Sequence, residues 1–253
     1  MIRSSLAILM FLPAFVVSAI AQNIDSVAKD RMTWAQQHFA DEGSPIPNGG
    51  VTVIPEKKMS GYDTFKAERA TNKANVQQFG YIKETSPQIQ SLLNFNVVSQ
   101  NQLAKSGSTG SSAEGLHQSI NEIQMAYIFK GVPVYEMSKT LGVAPSVTFI
   151  KGKGWAGAMQ FFEKTGVGTC SYRENNLEFS HGAAIIAQED TTYDINGKVT
   201  VTSIAGEDNA GFMYSVRWYD QHFFRELNCA SPNYSVSIMQ TVIELARSTD
   251  KNG

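Results

Sequence analysis

The two cysteines, Cys170 and Cys229, constrain the fold most, because they lie 59 positions apart and enclose the clearest alternating patterns of the chain. The best of these patterns is typical of a strand with one buried face: Phe212, Tyr214, Val216 and Trp218 alternate with Met213, Ser215, Arg217 and Tyr219. We therefore predict an antiparallel sheet closed by a Cys170–Cys229 disulfide. Such a loop contributes roughly 4 kcal/mol in the chain-entropy model; two buried free thiols are the alternative.

An Asn196-Gly197 pair in the same stretch predicts the turn of a β-hairpin. A two-residue loop would pair Ile195 with Lys198. A three-residue loop would pair Asp194 with Lys198 and place Gly197 in a left-handed conformation that a Cβ would strain. The longer loop also brings the tyrosine before the turn onto the same face as the two valines after it, so we prefer the longer loop.

Residues 1–21 have the features of a secretory signal. Arg3 supplies the positive start, residues 6–17 form the apolar run, and cleavage is predicted between Ala21 and Gln22. The apolar run is shorter than the roughly 20 residues of a membrane-spanning helix; an uncleaved anchor or a buried helix is the alternative. We expect an exported protein, periplasmic or secreted, with no transmembrane span after cleavage. Any association with the outer membrane is expected to run through partners.

The formal net charge of −2 and the absence of a basic run argue against a nucleic-acid partner. The four histidines, His38, His117, His181 and His222, do not have the spacing of metal ligands. We accordingly expect no cofactor, no metal and no small-molecule ligand. His181 alternates with apolar neighbours, so we expect it to point inward as a hydrogen-bonded core residue.

Residues 22–115 are predicted to form an N-terminal helical and extended region. Apolar residues at spacings of three and four predict a helix over 22–40, and 51–54 resembles a short strand. The remainder of 41–83 is polar and is expected to be extended, mobile in the isolated protein and ordered in its complex. A stretch rich in Gly and Ser at 105–115 predicts a flexible linker and the main domain boundary.

Three isolated aromatic residues, Tyr62, Phe65 and Phe79, stand out in the polar segment. Ordering such a segment costs about 1–2 kcal/mol of backbone entropy per residue, and few apolar side chains are present to offset that cost. We interpret the segment as a binding arm that recovers the cost on a partner surface, with the three aromatic residues as anchors.

Residues 116–253 are predicted to form a C-terminal α+β domain, in which an antiparallel sheet of about four or five strands is flanked by helices. Expected helices cover 116–128, 134–141, 155–163 and 235–247. Expected strands include 146–151, 212–219 and 220–227, although a helix also fits the last segment. Before this domain, Ser86-Pro87 predicts the start of a further helix.

Three short matches resemble, in their order, the serine acyl-transfer motifs of β-lactamases and penicillin-binding proteins. They are Ser26–Lys29 for S-x-x-K, Ser119–Asn121 for S-x-N and Lys164–Gly166 for K-T-G. The resemblance implies a nucleophilic serine with a lysine one helical turn later. Ser26, however, follows the predicted cleavage site closely, so little chain precedes the implied nucleophile.

The function that these observations favour is a non-enzymatic one in the cell envelope. The signal, the disulfide and a polar segment suited to lying on a partner predict an exported envelope protein. We expect it to be a subunit or accessory of a periplasmic multiprotein assembly, such as a secretion apparatus, with other envelope proteins as partners. An exported serine acyl-transfer enzyme is the alternative.

Overall fold

The computed structural model describes residues 50–95 and 115–252. The strands in these ranges are β1 Gly50–Ile54, β2 Ile82–Lys83, β3 Lys139–Ile150, β4 Gly154–Lys164, β5 Gly168–Asn176, β6 Ala183–Ala187, β7 Thr192–Ile195, β8 Lys198–Glu207, β9 Gly211–Tyr219 and β10 Phe223–Ser231. The α-helices are α1 Tyr62–Phe79, α2 Pro87–Leu93, α3 Leu177–Ser180 and α4 Val236–Asn252.

One eight-stranded sheet, here called the main sheet, organises these elements. Its strands run in the order β2-β8-β9-β10-β5-β4-β3, and β7 also pairs with β8. All neighbours are antiparallel except β2 and β8, which are parallel. The predicted α+β class is confirmed, but the sheet has more strands than the expected number.

The predicted disulfide is confirmed, and it joins the two central strands. Cys170 on β5 lies directly opposite Cys229 on β10, and their Cα atoms are 4.0 Å apart. Both side chains are fully buried. The sequence of 220–227 fits both a strand and a helix. In the structure, its residues from Phe223 onward belong to strand β10.

One face of the main sheet, here called the α4 face, carries the principal core. The predicted alternation on β9 is confirmed, since every second side chain from Phe212 to Trp218 is at most 1% exposed. The helix predicted over 235–247 is confirmed and continues to Asn252. Its apolar stripe packs on this face through Met239, Val242, Leu245 and Ala246.

Within the part of the chain that the structure describes, two separate elements cover the opposite face, here called the α2 face. At one end α2 packs against β5, β9 and β10. The predicted start of α2 is confirmed, because the Ser86 hydroxyl accepts a hydrogen bond from the Gln88 amide at 3.2 Å. At the other end the parallel pair β1–β6 packs on β8, β9 and β10. The strand predicted at 51–54 is therefore confirmed as β1.

Residues 155–163 form strand β4, so the helix predicted there is wrong. Ala156, Ala158 and Phe162 are fully buried on the α4 face, and β4 pairs with β3 on one side and β5 on the other. Two of the three buried positions are alanines, whose small side chains give only a weak alternating signal. The pairing of neighbouring strands therefore decides the structure here.

The helices predicted over 116–128 and 134–141 are also absent. A 3-10 turn at Ile120–Glu122 is the only regular element of the first segment, which is otherwise held to β3 and β4 by isolated bridges. The second segment contains a 3-10 turn and then the start of β3. Ile123 is still buried against Ala158, so the apolar residues find the core without forming a helix.

The expected extended conformation of 41–83 is wrong over α1. This helix contains no Gly or Pro and is rich in strong helix formers. Phe65 is its only buried residue, so its apolar face is too narrow to produce a periodic signal. Gly80 ends the helix at a left-handed φ of 82°, where an added Cβ would lie 2.1 Å from Tyr234 Oη.

The hairpin has a two-residue turn, so the preferred three-residue register is wrong. Asn196 and Gly197 are both left-handed, with φ of 50° and 77°, and Ile195 pairs with Lys198. Ile195 is fully buried, whereas Tyr193 is 59% exposed. Burial of the isoleucine on the core side therefore decides the register.

His181 is exposed, contrary to the inward orientation that we predict from alternation. The preceding residues form the single turn α3, and His181 ends it in a left-handed conformation with φ of 51°. Alternation indicates a buried face only within a strand, so this pattern does not apply to a helical turn.

Strand β3 forms one edge of the main sheet and includes most of the strand predicted at 146–151. Two register shifts interrupt its pairing with β4. Pro145 lies within it, and Val147 has a left-handed φ of 71°. Within the described ranges, its outer side makes one isolated bridge, to His117. The edge is therefore irregular along most of its length.

Several predicted segments lie outside the described residues. They are the signal peptide with Ala21 and Gln22, the helix at 22–40 and most of the linker at 105–115. The domain division at that linker stays a prediction. Strands β1 and β2, which precede the linker, pair with β6 and β8, which follow it.

Candidate functional site

A buried row of polar and charged side chains on the α4 face helps to hold α4, which forms one side of the candidate site. Glu174, Arg225 and Trp218 are direct neighbours on β5, β10 and β9, so their side chains share one face. Arg225 Nε donates to Glu174 Oε2 at 2.8 Å, and its Nη1 donates to Asp220 Oδ2 at 2.6 Å. The Arg225 and Glu174 side chains are 6% and 4% exposed. The arginine charge is thus neutralised inside the protein.

The same network fixes the C-terminal end of α4 to the sheet. Asp250, on the last turn of α4, accepts hydrogen bonds from Trp218 Nε1 at 2.9 Å and from Lys198 Nζ at 2.6 Å. Its other oxygen accepts from Asn196 Nδ2 at 2.8 Å. A carboxylate is unfavourable at a helix C-terminus, where the dipole is negative. Lys198 supplies the compensating charge.

The pKa directions in this network do not favour proton transfer at neutral pH. Burial raises the pKa of Tyr172, whose hydroxyl donates to Glu174. Burial alone would lower the pKa of Arg225, but Tyr172 and the carboxylates beside it raise the pKa overall. Tyr172 and Arg225 therefore keep their ordinary charge states at neutral pH, whereas a general acid or base works best with a pKa near the working pH. The network is suited to holding α4 in place.

Acid should weaken this anchoring. Burial alone would raise the pKa of Asp220, but Arg225 outweighs burial and holds that pKa below its ordinary value. Outside this network, in the 3-10 turn before β3, the hydrogen bond from Lys164 likewise lowers the pKa of Glu136. The unfolded chain therefore takes up these protons at higher pH than the folded protein. The stabilisation is fully present above about pH 4.5 and declines as pH falls through the folded pKa values.

We expect the urea midpoint of the mature protein to stay nearly constant from about pH 7 to about pH 5, and to fall below about pH 4. Asp220→Asn should be less stable than the parent at neutral pH and should decline less steeply in acid, because this position no longer titrates. Urea titrations across this range measure both effects. A midpoint that rises on acidification would contradict the prediction.

The candidate site is a groove of about 510 Å³ between the outer side of α4 and the 3-10 turn Val134–Glu136. In the wall of the groove, Lys164 Nζ donates a hydrogen bond to Glu136 Oε2 at 2.8 Å. Tyr135 Oη accepts from Asn252 Nδ2 at 3.1 Å and lies 3.4 Å from Ser248 Oγ. The complete lining is Tyr135, Glu136, Lys164, Thr241, Glu244, Leu245, Arg247, Ser248, Lys251 and Asn252.

An exposed apolar loop lies before β3 and includes one residue of the groove. Ile128, Val134 and Tyr135 are 84%, 78% and 74% exposed. Residues between them hold the loop to the core, since Val132 is buried and Phe129 packs beside Tyr172. Large apolar side chains that remain exposed on an anchored loop are typical of an interaction surface.

The three aromatic residues predicted as partner anchors contact their own chain. Phe65 is 7% exposed and packs with Ile54, Met59 and Ala187. Tyr62 borders the same cluster, and Phe79 packs against the principal core. Their role as anchors stays a prediction. They offer less accessible surface than Ile128, Val134 and Tyr135.

The residues of the serine acyl-transfer resemblance have local structural roles where they are described. Ser119 Oγ accepts from the Asn121 amide at 3.2 Å and caps a 3-10 turn. Lys164 ends β4 and is paired with Glu136. Ser26 and Lys29 lie outside the described residues.

Residues 50–95 and 115–252 contain no cluster of three or more His, Cys, Asp or Glu side chains arranged to hold a metal ion. In the same ranges, no helix has the length and apolar character required to cross a membrane. Comparisons with protein-family models, with curated proteins and with solved structures found no match to this chain.

Proposed function

We propose that the protein is an exported, non-enzymatic envelope protein that acts as a subunit or accessory of a periplasmic multiprotein assembly, such as a secretion apparatus. The exposed apolar loop of Ile128, Val134 and Tyr135, next to the groove along α4, is the observation that carries the proposal. The signal-like N-terminus and the disulfide support an oxidising compartment.

The composition of this surface fits a protein partner. Stable interfaces have an apolar centre enriched in tyrosine and a polar rim. Val134 and Tyr135 supply the centre, while Lys164, Arg247 and Lys251 in the groove supply polar groups. The alternative of an exported serine acyl-transfer enzyme rests on its short motifs. A fluorescent penicillin that labels the protein, and fails to label Ser26→Ala, would favour that alternative.

Site-specific photocrosslinking in cells tests the assembly role. We expect a photoreactive phenylalanine analogue at Tyr135 to give a discrete high-mass adduct with another envelope protein. The matched control is the same analogue at Tyr193, which is also an exposed tyrosine, at 59% against 74%. Tyr193 lies on β7 and is not among the residues that line the groove, so it should give little adduct.

Equal adducts at both positions would indicate nonspecific contact and contradict the proposal. A Tyr135 variant that is exported at the normal level, yet gives no adduct in growing cells, would also count against it. Tyr135→Ala should lower recovery of the adduct partner with the affinity-purified protein at least several-fold, because truncation of a central tyrosine commonly costs more than 1 kcal/mol of binding.

A further inference from the structure

The α2 face carries a row of charged side chains at the middle of the main sheet. Arg173, Glu226 and Arg217 are direct neighbours on β5, β10 and β9. Arg217 Nε donates to Glu226 Oε1 at 2.7 Å, and Arg173 Nη2 donates to the other oxygen. One carboxylate thus faces two guanidinium groups. The row keeps one positive charge that no member of it neutralises.

A second polar row lies beside it, one step further along the same strands. Ser171, Asn228, Ser215 and Ser203 are direct neighbours across β5, β10, β9 and β8. We call the two rows together the polar strip. Along β10 the strip lies between Phe224, which is covered by the β1–β6 pair, and Ala230, which is fully buried. Polar residues therefore occupy the part of this face between its two apolar covers.

The strip keeps access to solvent and has unused hydrogen-bonding capacity. The Arg173 and Arg217 side chains are 29% and 19% exposed. Arg173 Nε and Asn228 Oδ1 are buried and have no hydrogen-bond partner among residues 50–95 and 115–252. Glu226 is only 8% exposed. Burial alone would raise the pKa of Glu226, but the two arginines hold it below its ordinary value, so the carboxylate remains ionised.

An unpaired buried polar atom is costly, and a guanidinium group binds a carboxylate well through its planar fork of donors. Arg173 uses only one of its nitrogens, Nη2, to hydrogen-bond Glu226. A second carboxylate on its exposed side would neutralise the excess charge. The free acceptor of Asn228, one step along the strand, would suit an N–H group close to that carboxylate. A peptide offers both groups, whereas an inorganic anion offers no N–H donor.

We propose that the polar strip binds a carboxylate of a peptide segment, with Arg173 as the main contact, Arg217 as the second cation and Asn228 as the acceptor for a backbone N–H. The carboxylate comes from a chain terminus or from an Asp or Glu side chain. This inference rests on the proposed role as an assembly subunit and specifies the chemistry of one partner element. It uses the opposite face of the sheet from the groove.

Calorimetric titration of the mature, oxidised protein tests the site. The probes are three acetylated hexapeptides of Ser, Gly and Val: one with a free C-terminus, one amidated, and one amidated with a central Glu. We expect the free-acid peptide, the Glu peptide or both to bind at least tenfold more tightly than the neutral amidated peptide. The better of the two identifies the source of the carboxylate. Equal binding of all three, or binding of none, would overturn the proposal.

Arg173→Gln should lower the affinity for the carboxylate peptide at least tenfold, because a charge-assisted hydrogen bond is lost. Lys66→Gln is the control, since Lys66 is also an ion-paired cation and is 54% exposed, but it lies on α1, outside the polar strip and the groove; it should leave binding unchanged. If Arg173→Gln does not fold, Arg173→Lys keeps the charge and should still weaken binding several-fold. Wild-type affinity in a folded Arg173 variant would overturn the proposal. The Tyr135 crosslink reports separately on the assembly role.

Discussion

Reduction of the Cys170–Cys229 disulfide is expected to lower the free energy of unfolding by about 2–5 kcal/mol. The bond closes a loop across 59 positions, so breaking it returns conformational freedom to the unfolded chain. Both sulfur atoms are fully buried between Tyr172, Tyr214 and Leu227, their neighbours on the same sheet face. The native packing of the reduced protein should therefore change little.

The measurement is urea unfolding of the wild-type protein with and without reductant, after alkylation in denaturant has counted the free thiols. Comparison of the two redox states leaves the amino-acid sequence unchanged, so the difference reports loss of the bond without a substitution. A Cys170→Ala/Cys229→Ala variant should lose slightly more, because packing atoms are also removed. A difference below about 1 kcal/mol between the redox states would contradict the expected effect.

Removal of the Arg225 charge should have a comparable effect. Arg225→Met is expected to destabilise the protein by about 3–5 kcal/mol, because Glu174 remains as a buried carboxylate without its partner. The side chain of Glu174 is 4% exposed and cannot reach bulk water. The loss should appear as a lower urea midpoint and as weaker amide protection of the last turns of α4.

Lys164→Met provides the matched control for Arg225→Met. Lys164 also forms an ion pair, but it and Glu136 are 22% and 21% exposed, so we expect a loss of no more than about 1 kcal/mol. Adding Glu174→Gln to Arg225→Met should recover part of the stability, because the uncompensated charge disappears. If Arg225→Met were as stable as Lys164→Met, the buried row would not contribute to stability as expected.

The features that sequence predicts correctly are those in which one residue type carries a strong local signal. β9 has four large buried side chains in alternation, and α2 has a serine cap followed by proline. The chain has two cysteines, so a disulfide within it can form only between Cys170 and Cys229. β4 is missed because alanines occupy two of its three fully buried positions. α1 is missed because its helix-forming residues produce almost no apolar face.

The groove and the polar strip are harder to predict because their parts come from distant segments. Tyr135 and Asn252 are 117 positions apart, and Arg173 and Glu226 are 53 apart. Only the sheet register brings them together, and no local pattern encodes it. For the network that holds the end of α4, by contrast, the sequence carries one signal: Thr249 and Asp250 continue the apolar stripe of α4 by one turn. A polar residue on a buried stripe implies a polar partner beneath it.

The irregular edge strand β3 has a consequence for how two copies of this protein can meet. A flat, fully extended edge would offer a row of backbone donors and acceptors to any passing strand. The bulges, Pro145 and the left-handed Val147 interrupt that row. Copies that meet at this edge would therefore find no continuous template for sheet-to-sheet pairing along β3, and association there would be left to side-chain surfaces that can discriminate between partners.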